Sequence, residues 1–101
     1  TITLPAPVAG AHFKLIYGGA AEEAENLIIV TPGNTNFFIG CIVHLDSNAD
    51  NASIYSNGSS NSKLTLTDFG CFEINIIAKD STNYFIHGYA ESADAPAFAD
   101  Q

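Results

Sequence analysis

Short apolar segments separated by turn-forming residues are the feature that most limits how this chain can fold. The longest of them, 37–45 (FFIGCIVHL), spans nine residues and is rich in β-branched and aromatic side chains, which suit pleated strands. Apolar segments of this length indicate strands rather than helices. The one helix-compatible stretch, 18–25, has no apolar stripe and is too short to be stable alone, so we interpret it as a polar loop.

The segment 71–90 gives the most specific structural signal. Apolar and polar residues alternate from 71 to 79, which places Phe72, Ile74 and Ile76 on one face of a strand. The residues 80–83 (DSTN) are typical of a hairpin connection to a second strand. The same reasoning along the chain predicts seven to eight short strands and no significant helix. We therefore predict an all-β fold, a small antiparallel β-sandwich or barrel.

The length of 101 residues indicates a single β-domain, which we assign to 1–90. Within it, the Asn- and Ser-rich stretch 46–62 is expected to be a long polar excursion loop. The segment 91–101 is small, acidic and proline-containing, so we expect an extended C-terminal tail or arm. As an arm it would insert Phe98 into a pocket on a neighbouring molecule; otherwise it would be a disordered end.

The charge of the chain excludes several classes of partner. Three lysines and no arginine stand against 11 acidic residues, which gives a formal net charge of −8. Nucleic acids and anionic membranes both require clustered basic residues, so neither is an expected partner. No apolar run approaches the roughly 20 residues that a membrane helix needs. The acidity favours solubility or docking onto a basic protein surface.

Motifs of catalysis are missing from the sequence. It contains no G-x-S-x-G, no H-E-x-x-H, no phosphate loop and no dinucleotide fingerprint. Its densest carboxylates, Glu22, Glu23 and Glu25, lie in a polar stretch where nothing would bury them and raise their pKa. We expect neither enzymatic activity nor a cofactor.

The cysteines and histidines form a candidate metal motif. Cys41 and His44 make a C-x-x-H pair, with Cys71 and His87 downstream. Residues three apart on a strand point to opposite faces, however, so these two cannot share a metal unless Gly40 starts a bulge. Without such a bulge, Cys41 and Cys71 are expected to be small buried side chains or to form a disulfide between adjacent strands.

A calcium loop is the other candidate ion site. Asp46, Asn48, Asp50 and Asn51 place oxygen atoms at nearly alternate positions, as in an EF-hand. The glycine and the final glutamate of that loop are missing. Asx turns account for the same residues without an ion.

Two segments resemble parts of small β-rich virion proteins of tailed bacteriophages. Residues 2–16 (ITLPAPVAGAHFKLI) are similar to their opening strands, and residues 62–88 (SKLTLTDFGCFEINIIAKDSTNYFIHG) are similar to their closing hairpin. In that hairpin an L-T-L strand leads to a D-G-T-N-W return. Here Ser81 replaces the usual glycine and Tyr84 the usual tryptophan, and the middle of the chain is unmatched.

The resemblance implies a structural role on the outer surface of a bacteriophage capsid. It points to a capsid decoration (cement) protein whose partner is the major capsid protein; the alternative is a head-fibre, tail-fibre or spike module. Such a module would bind a host receptor or carbohydrate through the loop 46–62, with Tyr55 as a stacking platform. The resemblance carries over no catalytic residues.

Position and apolarity, rather than a motif, select the residues expected at the protein contacts. They are Ile2, Leu4, Phe37, Phe38 and Phe98. The runs 28–30 and 37–39 place apolar side chains on both faces of their strands, so these strands lie either inside a sandwich or beneath a partner. A symmetric homo-oligomer is the simplest such partner, with a trimer expected first and a dimer second.

Overall fold

The computed structural model describes all residues 1–101 and shows a protein made only of β-strands and loops. It contains no helix, and so none with the length and apolarity to cross a lipid bilayer. The predicted all-β, sandwich-like fold is confirmed, with nine strands instead of seven to eight. The strands are β1 (Ile2–Thr3), β2 (His12–Tyr17), β3 (Leu27–Val30), β4 (Phe38–Asp46), β5 (Ala52–Tyr55), β6 (Lys63–Leu66), β7 (Phe69–Ala78), β8 (Tyr84–Ser92) and β9 (Ala97–Ala99).

The strands form two sheets. One has four strands in the order β1-β3-β6-β9, and the other has five in the order β2-β7-β8-β4-β5. Most neighbours are antiparallel, but β1 pairs with β3 and β4 pairs with β8 in parallel. The sheets are therefore mixed and not purely antiparallel as expected. Parallel neighbours are joined by long connections, so no local turn signal in the sequence announces them.

Alternate residues of the strands fill the space between the two sheets. In β7, Phe72, Ile74 and Ile76 point inward and are at most 4% exposed, as the alternation predicted. Thirteen buried apolar side chains form one continuous core. Full burial of each large member contributes about 1.5–3 kcal/mol, which makes this core the main source of stability.

Two glycines let β8 lie close to its neighbours. Gly40 of β4 has a φ of +138°, and a Cβ atom there would lie 2.0 Å from the carbonyl oxygen of Ile86. Gly88 of β8 has a φ of +149°, and its Cβ would lie 2.0 Å from the carbonyl oxygen of Glu73. Only glycine fits such positions without displacing hydrogen-bonded backbone. The register of β4 is continuous through Gly40, so the bulge that would bring Cys41 and His44 to one face is not formed.

Two segments expected to lie outside the sheets are parts of them. Within 46–62, β5 pairs with β4, so the expected excursion is two shorter loops around an edge strand. Within 91–101, the first two residues complete β8, and β9 pairs with β6. The expectation of a tail or arm was wrong, because a small-residue segment gains order from backbone pairing that its side chains do not reveal.

Polar contacts hold the last residue in place. The Gln101 side-chain amide donates to the carbonyl and hydroxyl oxygens of Thr31, both at 3.0 Å, and to the carbonyl oxygen of Ser62 at 3.2 Å. The backbone N–H of Gln101 donates to the Ser62 hydroxyl at 3.0 Å. Thr31 and Ser62 are fully buried, so these bonds satisfy polar groups that water cannot reach.

A substitution of Phe98 can show whether the C-terminal segment packs against the core. Its ring packs edge-on against Phe38, with centroids 6.2 Å apart, instead of reaching a neighbouring molecule. We expect Phe98→Ala to lower the free energy of unfolding by about 2 kcal/mol, less than for a fully buried phenylalanine, as measured by urea denaturation. Val8→Ala truncates an apolar side chain that is 68% exposed outside both sheets and serves as the control. Equal stability of the two variants would contradict the docked β9.

A substitution of Gly40 can show how closely the backbones of β4 and β8 approach each other. We expect Gly40→Ala to lower the free energy of unfolding by about 3 kcal/mol, because the new methyl group meets backbone and the φ angle is unfavourable. Gly18→Ala is the matched control, since a Cβ there meets nothing within 4 Å. Thermal or urea unfolding followed by circular dichroism measures both. A near-neutral effect at Gly40 would mean that the two strands lie further apart.

Candidate interaction surface

The side of the five-stranded sheet that faces away from the core, here called the outer face, carries most of the exposed apolar side chains. Six large apolar side chains in the chain are exposed, and five of them lie on this face. The sixth is Val8, in the connection between β1 and β2. A concentration of this kind marks a surface that meets another macromolecule. The five are Ile16, Val43, Tyr55, Phe85 and Tyr89, which are 36–70% exposed.

Strand register arranges the outer face in rows that cross the sheet, roughly 6.6 Å apart because two residues separate them along each strand. Within each row, the residues are named in order from edge strand β2 to edge strand β5. Row 1 contains His12, Ile77, Phe85 and Ile39; row 2 contains Lys14, Asn75, His87, Cys41 and Tyr55; row 3 contains Ile16, Glu73, Tyr89, Val43 and Ser53; row 4 contains Glu91 and Leu45.

The ionisable groups of the outer face are separated along the strands. The basic side chains, His12, Lys14 and His87, lie in rows 1 and 2, and both carboxylates, Glu73 and Glu91, lie in rows 3 and 4. The Lys14 ammonium and the Glu73 carboxylate form an ion pair of 2.9 Å between rows 2 and 3. Both groups are exposed enough that water screens the pair, so it adds little stability.

Strand directions place most of the acidic residues at one end of the sandwich, here called the acidic end. Eight of the 11 acidic residues lie in its loops and strand ends, without a single lysine. The opposite, neutral end has two lysines and two aspartates. The acidic end holds Glu22, Glu23, Glu25, Asp46, Asp50, Asp68, Glu91 and Asp94; the charges of the neutral end are Lys63, Lys79, Asp80 and Asp100.

Hydrogen bonds hold the loop 18–26 against the acidic end. The Glu23 N–H donates to the carbonyl oxygen of Phe69 at 2.8 Å. The Tyr17 hydroxyl donates to the Glu23 carboxylate, and this bond raises the pKa of Tyr17. A bulge after Phe69 places Gly70 beneath the loop, where a Cβ atom would lie 2.1 Å from a Glu91 carboxyl oxygen. The missing side chain therefore gives Glu91 room to reach the loop.

Two carboxyl groups meet where this loop crosses β8. Interaction with the Glu91 carboxyl group, and then with the Ser47 hydroxyl, lowers the pKa of Glu22 from its usual value. The contact with Glu22, and then partial burial, raise the pKa of Glu91 above 4.5, while nearby His44 opposes the rise. The opposite directions of the two shifts indicate a coupled pair in which a shared proton is held more by Glu91 than by Glu22.

This pair makes the stability depend on pH in a defined way. The Glu22 contribution is present above pH 4.5 and is lost as the pH falls through its lowered folded-state pKa. The Glu91 contribution is present below pH 4.5 and is lost as the pH rises through its raised folded-state pKa. The contact between the loop and β8 is thus strongest between those two pKa values.

We expect Glu91→Gln to remove the loss of stability on the alkaline side, because an amide donates to Glu22 at every pH. Urea midpoints measured from mildly acidic to slightly alkaline pH check this. Glu73→Gln is the control, since it removes a carboxylate that is paired with Lys14 instead. Parallel pH profiles for Glu91→Gln and the unaltered protein would contradict the shared proton.

A serine, a histidine and an aspartate also meet at the acidic end. His44 Nε2 lies 3.0 Å from Ser92 Oγ and 3.1 Å from the Ser92 carbonyl oxygen, and His44 Nδ1 lies 3.9 Å from Asp46 Oδ2. The residue types and order match an acyl-transfer triad. However, Ser92 Oγ donates its one proton to the Asp94 carbonyl oxygen at 2.5 Å, so Nε2–H is the donor toward Ser92.

The burial of this trio gives it a structural role. His44 is 3% exposed and Ser92 1%, so a substrate carbonyl cannot reach the serine oxygen in this structure. The hydrogen bonds instead join the ends of β4 and β8 and satisfy polar groups beneath the acidic loops.

Of the five residues expected at protein contacts, two lie in the chain's own core and three are half-buried. Leu4 is 4% exposed and Phe38 is not exposed, so neither can touch a partner and both expectations were wrong. Phe98 is half-buried against the core. Ile2 and Phe37 are half-buried. Sequence apolarity selected these residues, but an apolar residue in a small domain is more often core than surface.

Both cysteines are free, and the candidate disulfide between them is not formed. β4 and β7 are not adjacent, because β8 lies between them. Two strand spacings amount to roughly 9–10 Å, beyond the Cα separation that a disulfide spans. Cys41 lies opposite His87 on the outer face, whereas His44 points into the core, as strand alternation predicted.

No group of three or more His, Cys, Asp or Glu side chains is arranged to hold a metal ion. In the candidate calcium loop, the Asp46 carboxylate accepts the Asn48 N–H at 2.8 Å, and the Asn51 side-chain oxygen accepts the Asp46 N–H at 3.1 Å. The first bond closes an Asx turn, which is the alternative that the sequence offered, and the second ties Asn51 back to the end of β4.

Sequence reasoning missed the outer face as a surface. Its signal was present in β8, where Phe85 and Tyr89 alternate with Tyr84 and Ile86, so that both faces of the strand are apolar. The concentration of acidic residues at one end of the sandwich can also be deduced from the sequence once the directions of the strands are known. Comparisons with protein families, characterised proteins and solved structures find no match for this chain.

Proposed function

We propose that this protein is a structural virion protein that decorates the outer surface of a bacteriophage capsid and cements neighbouring major-capsid subunits. The observation that carries contact with a shell is the neutral end, where Val8 is 68% exposed and the charges balance, so that the acidity of the chain does not oppose docking there. The resemblance of residues 2–16 and 62–88 to phage virion proteins supplies the capsid as the setting. Exposed apolar side chains favour contact with another macromolecule.

The neutral end is the surface that we assign to the shell. Val8 is 68% exposed there, and Phe37 is half-buried nearby. The connection that carries Val8 also contains Ala6 and Ala9, whose small side chains allow close approach. The acidic end then faces solvent, where its carboxylates stay hydrated and keep particles apart.

Cementing follows from mass action. A protein that binds only the mature shell stabilises each site by RT ln(1 + [L]/Kd), about 2.7 kcal/mol at 100 times Kd. Many such sites raise the temperature at which the shell opens.

The test uses virions that carry this protein. Gentle heating should release it and lower the melting temperature of the shell by several degrees in scanning calorimetry, and adding the purified protein back should restore the melting temperature. Val8→Asp should restore it poorly, because a carboxylate at an apolar contact is costly to bury. Asn48→Asp adds the same charge at the acidic end and should restore the shell as the unaltered protein does.

A shell whose melting is unchanged by loss of the protein contradicts the cement role. Equal restoration by Val8→Asp and Asn48→Asp contradicts the assignment of the neutral end.

A fibre or spike module that binds a carbohydrate is the second candidate function, and Tyr55 is the observation that favours it. Its ring is 70% exposed on edge strand β5, where it could stack on a sugar. For this function, removal of the protein should abolish host adsorption and leave shell melting unchanged. Tyr55→Ala should then weaken adsorption, whereas under the cement proposal it has no effect on shell stability.

A further inference from the structure

The outer face is nearly free of net charge in a strongly acidic molecule. It carries one lysine and two glutamates, a formal −1 of the chain's −8 with the histidines neutral. Tyr89, Val43 and Phe85 lie among polar side chains in its middle, and Ile16 and Tyr55 lie on its two edge strands. Apolar, aromatic composition with few charges is the signature of an interface core. With a formal charge of only −1, this face can approach a second acidic chain without strong repulsion.

We infer that the outer face binds the outer face of a second copy, forming a two-fold symmetric dimer in which the strands of the two copies run in opposite directions. This goes beyond the proposed function and does not depend on it, since the dimer would be a property of the chain alone. A two-fold interface uses the same patch on both copies, so the patch must be complementary to itself.

The rows of the outer face meet this requirement. A two-fold axis parallel to the rows places row 1 over row 4 of the other copy, and row 2 over row 3. Lys14 and His87 of row 2 then lie near Glu73 of the partner copy's row 3. The same rotation puts the acidic end of each copy beside the neutral end of the other. The alternative two-fold, parallel to the strands, stacks like on like and brings both acidic ends together.

The size of the face is adequate for such a dimer. Its 16 positions, each about 4.8 by 6.6 Å, cover roughly 500 Å² on each copy. The total of roughly 1,000 Å² is at the threshold for a specific interface and in the range of weak, transient ones. Two sheets that pack in this way lie about 10 Å apart with their side chains interdigitated. A weak, reversible dimer is therefore expected.

Sedimentation equilibrium of the purified chain tests the inference. We expect a reversible monomer–dimer equilibrium, and we expect Tyr89→Glu, at the centre of the face, to weaken dimerisation roughly tenfold or more. Val8→Asp is the matched control: it also replaces an exposed apolar residue by a carboxylate, but away from the outer face, and should leave the dimer unchanged. Circular dichroism establishes that each variant is folded.

A charge exchange tests the orientation without changing composition. Glu73→Lys places two lysines opposite each other and should weaken the dimer, whereas adding Lys14→Glu restores an opposite-charge arrangement and should recover it. A monomer at all concentrations, or a trimer, overturns the inference, and so does a dimer unaffected by Tyr89→Glu. A dimer weakened by Glu73→Lys but not recovered by the second substitution overturns the antiparallel arrangement. Val8→Asp is expected to change only the restoration of shell melting, and Tyr89→Glu only dimerisation. Failure of one proposal can therefore be distinguished from failure of the other.

Discussion

The parallel pairing of β4 with β8 is the contact on which the rest of the fold depends. It runs from Phe38 opposite Tyr84 to Asp46 opposite Ser92 and joins the hairpin of β7 and β8 to the first half of the chain. Gly40 permits it by leaving room for the carbonyl of Ile86. Because this pairing fixes the register, it also decides which side chains meet on the outer face. The rows of that face exist only while the two strands stay in phase.

Sequence patterns predicted the parts of this fold whose evidence is local. The hairpin of β7 and β8 was predictable because Phe72, Ile74 and Ile76 alternate with polar residues and a turn follows. β5 and β9 were not, because their small or polar side chains are ordered by backbone pairing with distant strands. The sequence also leaves open which phase of β8 faces inward, since both are apolar. The opposite sheet decides that choice.

The same ambiguity explains the outcome for the candidate site. Leu4, Phe38 and Phe98 are apolar residues near exposed-looking segments, but each finds its contact inside the domain. Side chains such as Phe85 and Tyr89 remain exposed because they alternate with the inward-facing residues of a strand that contributes to the core. An adhesive surface in this small sandwich is thus the reverse side of its own core strands, and a substitution there can change binding while the core stays packed.

Separation of charge between the two ends makes the single chain a strong electric dipole. Eight acidic residues lie at one end of the strands, and the charges at the other end balance. The field near a charged surface exerts a torque on such a molecule and orients it before contact. Near an anionic surface the neutral end leads; near a cationic one the acidic end leads. In an antiparallel pair the two dipoles oppose each other. The dimer would therefore have no preferred orientation when it approaches a charged surface.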